Sequence, residues 1–204
     1  MAADVRATPT APGAAGGARE VDEVTLRRAQ RGDHGAFRAV VETYQGRVWE
    51  LCWRMLAPVG LGHRADDVSQ ETLVRVFRAL PTFEVTGSAR LSTWILTIAT
   101  RRALTELGRA RPRPLDDDGA LAALEAAGSA PAGEATARRE LGERLAAAIG
   151  ALPDGARAVL LLRDLYDLDY REIADALELD LGTVKSRLAR ARAAVRARLE
   201  GARP

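Results

Sequence analysis

The sequence predicts an all-α protein made of two small helical domains that are joined by a flexible linker. The chain has 204 residues, of which 47% are hydrophobic and only 4% are aromatic. Alanine, leucine and arginine dominate, and all three favour helices, whereas runs of the β-branched residues that favour strands are nearly absent. A stretch at 113–133, rich in Ala, Gly, Pro and Asp and without apolar periodicity, is predicted to be the linker.

The first domain is predicted over residues 22–112, after a disordered tail at 1–21 that is rich in Ala, Gly and Pro. A short helix is expected at about 24–30. Asp33 is a favourable N-cap for a second helix, whose apolar residues recur at three- and four-residue spacings from Phe37 to Met55.

Two further helices are expected in this domain. Asp66 or Asp67 is predicted to cap the third helix, and Pro81 stops it. The fourth helix is expected from near Ser92 to the prolines at 112 and 114. The inner face of the third helix is predicted to consist of Leu73, Val76, Phe77 and Leu80.

The second domain is predicted over residues 134–200. Pro153 suits the first turn of a helix that continues to about Tyr166. Asp169, followed by Glu172, resembles a capping box that opens a short helix ending at Leu177. A turn at 178–180 leads to the last helix, expected from about 182 to 199.

Residues 170–192 form a helix-turn-helix pattern. The small Ala174 is expected where the two helices cross, and the inner face of the last helix is predicted to comprise Val184, Leu188, Ala191 and Val195. A helix of this width fits the major groove of DNA. An amphipathic helix whose arginines only solubilise it is the alternative interpretation. The side chains predicted to face DNA are Thr183, Lys185, Ser186, Arg187 and Arg190.

The charge is segregated, although the net charge is only +2. Residues 90–113 contain six arginines against Glu106, and residues 182–204 contain six arginines and one lysine against Glu200. Residues 115–137 carry five acids and no base. Two basic patches separated by an acidic connector predict two contacts with one polyanion.

Several function classes are disfavoured by the sequence. One cysteine, Cys52, permits no internal disulfide and is expected in the core, and two histidines leave a Cys/His zinc site without enough ligands. No nucleophile–base pair and no phosphate-binding glycine loop is visible, so neither catalysis nor a cofactor is expected. No targeting segment or long apolar run is visible, which predicts a cytoplasmic protein without membrane insertion.

Four segments together resemble the sigma-70 family of RNA polymerase sigma factors, and the extracytoplasmic-function (ECF) group in particular. Region 4 of the family is similar to the stretch LPDGARAVLLLRDLYDLDYREIADALELDLGTVKSRLARARAAVRARL, and region 2.2 is similar to DDVSQETLVRVFRAL. The start of region 2.1 is similar to LRRAQRGDHGAFRAVVETY, and regions 2.3 and 2.4 are similar to GSARLSTW followed by ILTIATRRALTELGRAR. The resemblance covers about residues 24–113 and 135–199.

The resemblance implies partners and roles. Region 4 would read the −35 element as duplex through the last helix, and regions 2.3 and 2.4 would read a melted −10 element. Core RNA polymerase, through its clamp and flap regions, and an anti-sigma factor are the implied protein partners. The implied clamp-binding residues are Asp67, Gln70 and Glu71, for which helix capping is the alternative. The candidate −10 residues are Phe83, Ser88, Arg101, Arg102 and Arg109. Trp94 could stack on a base, but a core position is favoured for it.

The sequence departs from the family pattern at several positions. Thr100, Arg101 and Thr105 stand where the family often has Arg, Asn and Asp, and Glu178 stands where glycine commonly makes the turn. The loop between residues 83 and 87 is about two residues longer than usual, and regions 1.1 and 3 are absent. A stand-alone helix-turn-helix regulator is the alternative function, and it leaves the resemblance of the first domain unexplained.

Overall fold

The computed structural model describes residues 20–85, 90–110 and 134–201, and within these ranges it contains helices and no strand, which confirms the all-α prediction. The expected linker at 113–133 and Ser88 lie outside the described residues. Single turns of 3-10 helix occupy 57–59, 62–64 and 80–82. The α-helices are α1 Glu23–Gln30, α2 His34–Leu56, α3 Ala65–Ala79, α4 Leu91–Ala110, α5 Glu134–Gly150, α6 Asp154–Leu160, α7 Tyr170–Leu177 and α8 Leu181–Gly201.

Helix α2 is the centre of the first group of helices, because α1, α3 and α4 all pack against it. Asp33 caps it as predicted, since its Oδ1 accepts a hydrogen bond from the amide of Ala36 at 3.0 Å. The inner face of α2 is fully buried: Val48, Leu51 and Cys52 have no exposed surface. The core therefore has the aliphatic composition that the scarcity of aromatic residues implied.

The predicted cap of α3 is wrong. The helix begins at Ala65 and its N-cap is Arg64, because the 3-10 turn at 62–64 leads directly into it with helical backbone angles. Asp66 and Asp67 consequently lie in the first turn, where carboxylates face the positive end of the helix. Asp66 Oδ1 accepts a hydrogen bond from Trp49 Nε1 at 2.7 Å.

The predicted inner face of α3 is partly wrong as well. Val76 and Leu80 are fully buried, but Phe77 is 46% exposed. The buried stripe runs through Val68 and Thr72 to Val76 at four-residue spacing, so Phe77 lies to one side of it. Its ring contacts the ring of Phe37 edge-on, with 4.7 Å between the centroids.

The second group of helices contains the predicted helix-turn-helix. Pro153 is the N-cap of α6 and precedes its first turn, and the helix continues as a π-helical turn over 161–165. The capping box of Asp169 and Glu172 at the start of α7 is confirmed. The inner face of α8 is also confirmed, because Val184, Leu188, Ala191 and Val195 are all buried.

The two groups of helices are in contact. The guanidinium of Arg157, whose side chain is 2% exposed, donates to the carbonyl of Met55 at 2.7 Å and to those of Gly150 and Leu152 at 2.8 Å each. At Gly150 a Cβ atom would lie 2.8 Å from the Cβ of Pro58, so the close approach of α5 to the 3-10 turn at 57–59 requires glycine.

Among the helices that the structure describes, none combines the length and the apolarity that crossing a bilayer requires.

The environment of the one cysteine leads to a first prediction. Burial raises the pKa of the Cys52 thiol to about 12. Because the thiolate is the reactive form, we expect Cys52 of the native protein to react very slowly with Ellman's reagent at mildly alkaline pH and to react fully in concentrated urea.

An Ala193→Cys variant is the control, because Ala193 is exposed on α8. Its added thiol should react promptly in the native protein. Equally prompt labelling of Cys52 in the unmutated protein would contradict the buried position.

Candidate nucleic-acid interface

The exposed face of α8 carries the side chains that the sequence predicts to contact duplex DNA. Lys185, Ser186 and Arg190 are exposed, Arg187 is half-buried, and the fully enclosed Val184 and Leu188 lie on the opposite face. The helix therefore presents cations and hydroxyl groups outward over at least six residues while its other face is fixed in the core. This is the arrangement that insertion into the major groove requires.

The N-terminal end of α8 is already occupied by a side chain of the protein. Asp180 accepts hydrogen bonds from the amide of Thr183 at 2.8 Å and from its hydroxyl at 2.6 Å. These bonds, the hydroxyl bond foremost, hold the pKa of Asp180 below its usual value. A phosphate at this helix end would have to displace Asp180, so the prediction that Thr183 contacts phosphate is not supported in this conformation. The Asp-x-x-Thr spacing was the signal in the sequence.

The three predicted polymerase-binding residues share one exposed face of α3. Asp67, Gln70 and Glu71 follow one another at spacings of three and one, and the next residue on the same face is Val74, which is 47% exposed. Val74 adds apolar area to this polar face. None of the three is the N-cap of α3.

Arg102 on α4 is buried, in contrast to the prediction that it faces DNA. Only 4% of its side chain is exposed, and its Nε donates to Glu71 Oε2 at 2.6 Å. Glu106, one turn further along α4, lies 3.5 Å from Arg102 Nη2 and 2.9 Å from Arg64 Nη2. The hydrogen bond from Arg102 holds the pKa of Glu71 below its usual value. Arg102 thus joins α4 to α3 and is not presented to a phosphate in this conformation.

The remaining candidates for the −10 element that the structure describes lie on α4 or in the segment before it. Arg109 is largely exposed at the C-terminal end, whereas Arg101 is held by α7. Phe83 is half-buried and its ring packs on Trp94, with 5.1 Å between the centroids. Gln30 fixes the same segment, because its Nε2 donates to the carbonyl of Phe83 at 2.6 Å. Trp94 packs against the core, as favoured from the sequence.

No three His, Cys, Asp or Glu side chains in the described ranges are placed to hold a metal ion. A helix-turn-helix with a basic outer face, packed against a second helical group with a basic helix of its own, defines a two-part helical DNA-binding protein.

The comparisons with known proteins identify the family. The family model for sigma-70 region 2 matches residues 40–113, and the model for sigma-70 region 4 matches residues 142–195. The ECF RNA polymerase sigma factor SigW of Bacillus subtilis is 31% identical over 182 residues, which are 85% of this chain and 94% of that protein. The ECF RNA polymerase sigma-E factor of Escherichia coli K12 is 33% identical over 183 residues, 85% of this chain and 92% of that protein.

Two solved structures resemble the fold. CnrH in complex with the cytosolic domain of CnrY superimposes with a TM-score of 0.61 at 25% identity, over 87% of this chain and 96% of that chain. The sigma factor RpoE of Bartonella quintana in complex with the anti-sigma factor NepR superimposes with a TM-score of 0.58 over 82% of this chain and 98% of that chain. Its 23% identity shows the fold alone.

The chain belongs to the ECF group of sigma-70 family RNA polymerase sigma factors. Its function is to bind core polymerase and direct promoter-specific initiation of transcription. The match over residues 40–113 accounts for the first domain, which a stand-alone regulator left unexplained.

The buried arginine of α4 leads to a second prediction. Arg102→Ala leaves the carboxylate of Glu106, which is 9% exposed, with one cation fewer, and we expect the free energy of unfolding to fall by about 2–3 kcal/mol. Urea denaturation followed by tryptophan fluorescence measures this, because all three tryptophans lie in the first domain.

Arg109→Ala is the matched control for this prediction. Its side chain is 68% exposed and contacts the same glutamate, so its removal should change the stability by less than about 0.5 kcal/mol. Equal losses in both variants would mean that the burial of Arg102 adds nothing to stability.

Proposed function

We propose that the exposed face of α8 reads the −35 element as duplex DNA. The observation that carries the proposal is the alignment of Lys185, Ser186 and Arg190 opposite the buried stripe of the same helix. Arginine and lysine donate to guanine edges and to phosphates, and serine bonds to either. Arg187 is half-buried at the edge of this face and is assigned to the same element.

We infer that α4 and the segment before it contact the melted −10 element. Arg109 supplies an exposed cation for phosphate, and Phe83, Ser88 and Arg101 are assigned to the same strand. Single-stranded DNA is bound by cations along its backbone and by surfaces on which bases stack. The burial of Arg102 and its bonds to α3 support a positioning role for it, in which it fixes α4 on the domain that docks to polymerase.

The exposed face of α3 is the proposed dock for the polymerase clamp. Asp67 and Gln70 supply acceptors and a donor that can bond to a polar partner surface, and Val74 beside them supplies apolar area. Glu71 lies on the same face but also accepts the bond from Arg102, so its substitution would change the interior of the domain as well.

We propose residues 22–112 and 134–200 as the two functional units, the second of which also docks to the polymerase flap. An anti-sigma factor is a further proposed partner, since CnrH and RpoE were each solved with a partner and NepR is described as an anti-sigma factor. The chain is proposed to act in the cytoplasm, beside its polymerase, and to catalyse no reaction of its own.

Run-off transcription with bacterial core polymerase and a library of genomic promoters tests the assignment of α8. Discrete starts that depend on this chain are expected, and they define the promoter. Lys185→Ala should weaken binding of the holoenzyme to that promoter and lower the slope of log affinity against log salt by about 1, because one phosphate contact is lost.

Arg139→Ala is the matched control, because it removes a cation that is 80% exposed on α5, outside the helix-turn-helix. It should leave both the affinity and the salt slope unchanged. Equal effects of the two substitutions would assign the change to overall charge and remove Lys185 from the DNA-binding face.

The dock on α3 gives a fourth prediction. The double substitution of Asp67→Ala with Gln70→Ala should reduce affinity for core polymerase about tenfold, since two contacts of a protein interface are lost. Fluorescence anisotropy of the labelled chain titrated with core polymerase measures this affinity.

Glu42→Ala with Gln45→Ala is the matched pair, because these residues have the same spacing and are exposed on α2. The α2 variant should bind core polymerase normally. Unchanged affinity in the α3 variant would remove Asp67 and Gln70 from the dock.

A further inference from the structure

Helix α7 of the helix-turn-helix packs against α4 of the other domain, and it turns an acidic face toward basic side chains. Glu172 and Asp175 lie on α7 and Glu178 is its C-cap, so acidic residues recur there at three-residue spacing. Arg90 and Arg101 are the cations that meet α7. The contact therefore joins the first helix of the helix-turn-helix, which is proposed to read the −35 element, to the helix that is proposed to read the −10 element.

Arg101 is held at the C-terminal end of α7 by three groups. Its Nε donates to the carbonyl of Ala176 at 2.7 Å, and its Nη2 donates to the carbonyl of Asp175 at 2.9 Å. Its Nη1 lies 3.0 Å from the carboxylate of Glu178. The last carbonyls of a helix lack partners within the helix and carry its negative end, so a guanidinium is well matched to this position.

A second contact lies at the other end of α7. Glu172 Oε1 accepts a hydrogen bond from Thr93 Oγ1 at 2.9 Å, and Glu172 Oε2 lies 4.0 Å from Arg90 Nη2. The same carboxylate closes the capping box by accepting from the amide of Asp169 at 2.7 Å. The capping box already fixes the side chain of Glu172. Glu172 therefore aligns α7 on α4 without any further loss of its own side-chain freedom.

The backbone at Glu178 is unusual for its residue type. Its φ of +56° places it in the left-handed region, where glycine is favoured and other residues are strained. The strained position is occupied by the one residue of the turn whose carboxylate reaches Arg101. Arg101 and Glu178 both stand where the sequence departs from the family pattern, and they pair with each other in this structure.

We propose that α7 and α4 form a latch, defined by Arg101 with Glu178 and by Glu172 with Thr93 and Arg90, that holds the free chain closed and keeps Arg101 from DNA. The masking of DNA contacts rests on the proposed role of Arg101 at the −10 element; the closure itself does not. The carboxylate of Glu178 and the carbonyls of Asp175 and Ala176 take the place of phosphate groups against Arg101. Separation of the domains releases this arginine.

The test uses the full chain with dyes on two engineered cysteines, Gln45→Cys and Ala193→Cys, at exposed positions in opposite domains. Single-molecule energy transfer measures the open and closed populations over a range of salt concentrations. Glu178→Gln should raise the ratio of open to closed molecules about two- to fivefold, the range expected for loss of one exposed ion pair. Glu178→Gly should open the chain at least as much while it raises the melting temperature of the second domain, because the backbone strain is relieved.

Glu143→Gln is the matched control, since Glu143 is exposed and pairs with Arg139 within α5. It should leave the populations unchanged. A second measurement is the affinity of the free chain for the single-stranded −10 oligonucleotide of the promoter mapped by run-off transcription. That affinity should rise by the same factor as the open fraction in Glu178→Gln.

The two readouts separate the latch from the function on which it acts. Unchanged energy transfer and unchanged DNA affinity in both Glu178 variants would overturn the latch. Opening without any gain in DNA affinity would support the latch and show that the proposed −10 role of Arg101 is wrong.

Discussion

Burial of the Arg157 guanidinium is the constraint on which the arrangement of the helices depends. It donates to carbonyls at the ends of α2 and α5 and to Leu152 in the corner before α6. Carbonyls at helix ends have no partner within their helix, and a buried one must find a donor elsewhere. One cation meets this requirement for three segments. Its position fixes the angle between α5 and α6 and brings the C-terminal end of α2 against the second domain.

The hydrogen bonds of Arg157 and of Arg101 differ in how many of them cross between the two domains. Two of the three carbonyls that Arg157 binds, those of Gly150 and Leu152, belong to its own domain, and the third, that of Met55, belongs to the other domain. The bonds of Arg101 all reach across to α7 and exist only in the closed chain. Water can replace the exposed hydrogen-bond partners of both arginines when the domains separate. The domains can therefore separate without loss of the corner that shapes the second domain.

The sequence predicted the parts of the fold that follow from local periodicity and capping, such as α2 with Asp33 and the capping box of α7. Prediction from the sequence failed where a neighbouring element determines how a residue is capped, bonded or buried. The cap of α3 was misassigned because the preceding 3-10 turn already supplies helical geometry at Arg64. The burial of Arg102 depends on Glu71 from α3 and is invisible in a count of charges. Composition indicated that α4 is basic, but not which of its arginines are already bonded within the protein.

With the proposed roles of α8 and α4, the geometry of promoter DNA requires a closed chain to open. The −35 and −10 elements are about 25 steps apart, which is about 85 Å along B-DNA. The two proposed DNA-binding surfaces therefore cannot stay in contact while both elements are bound. DNA at the exposed face of α8 gains nothing from opening, so it cannot shift the equilibrium by itself. Core polymerase is the ligand that can supply the free energy of opening, because it must bind the separated domains more tightly than the closed pair.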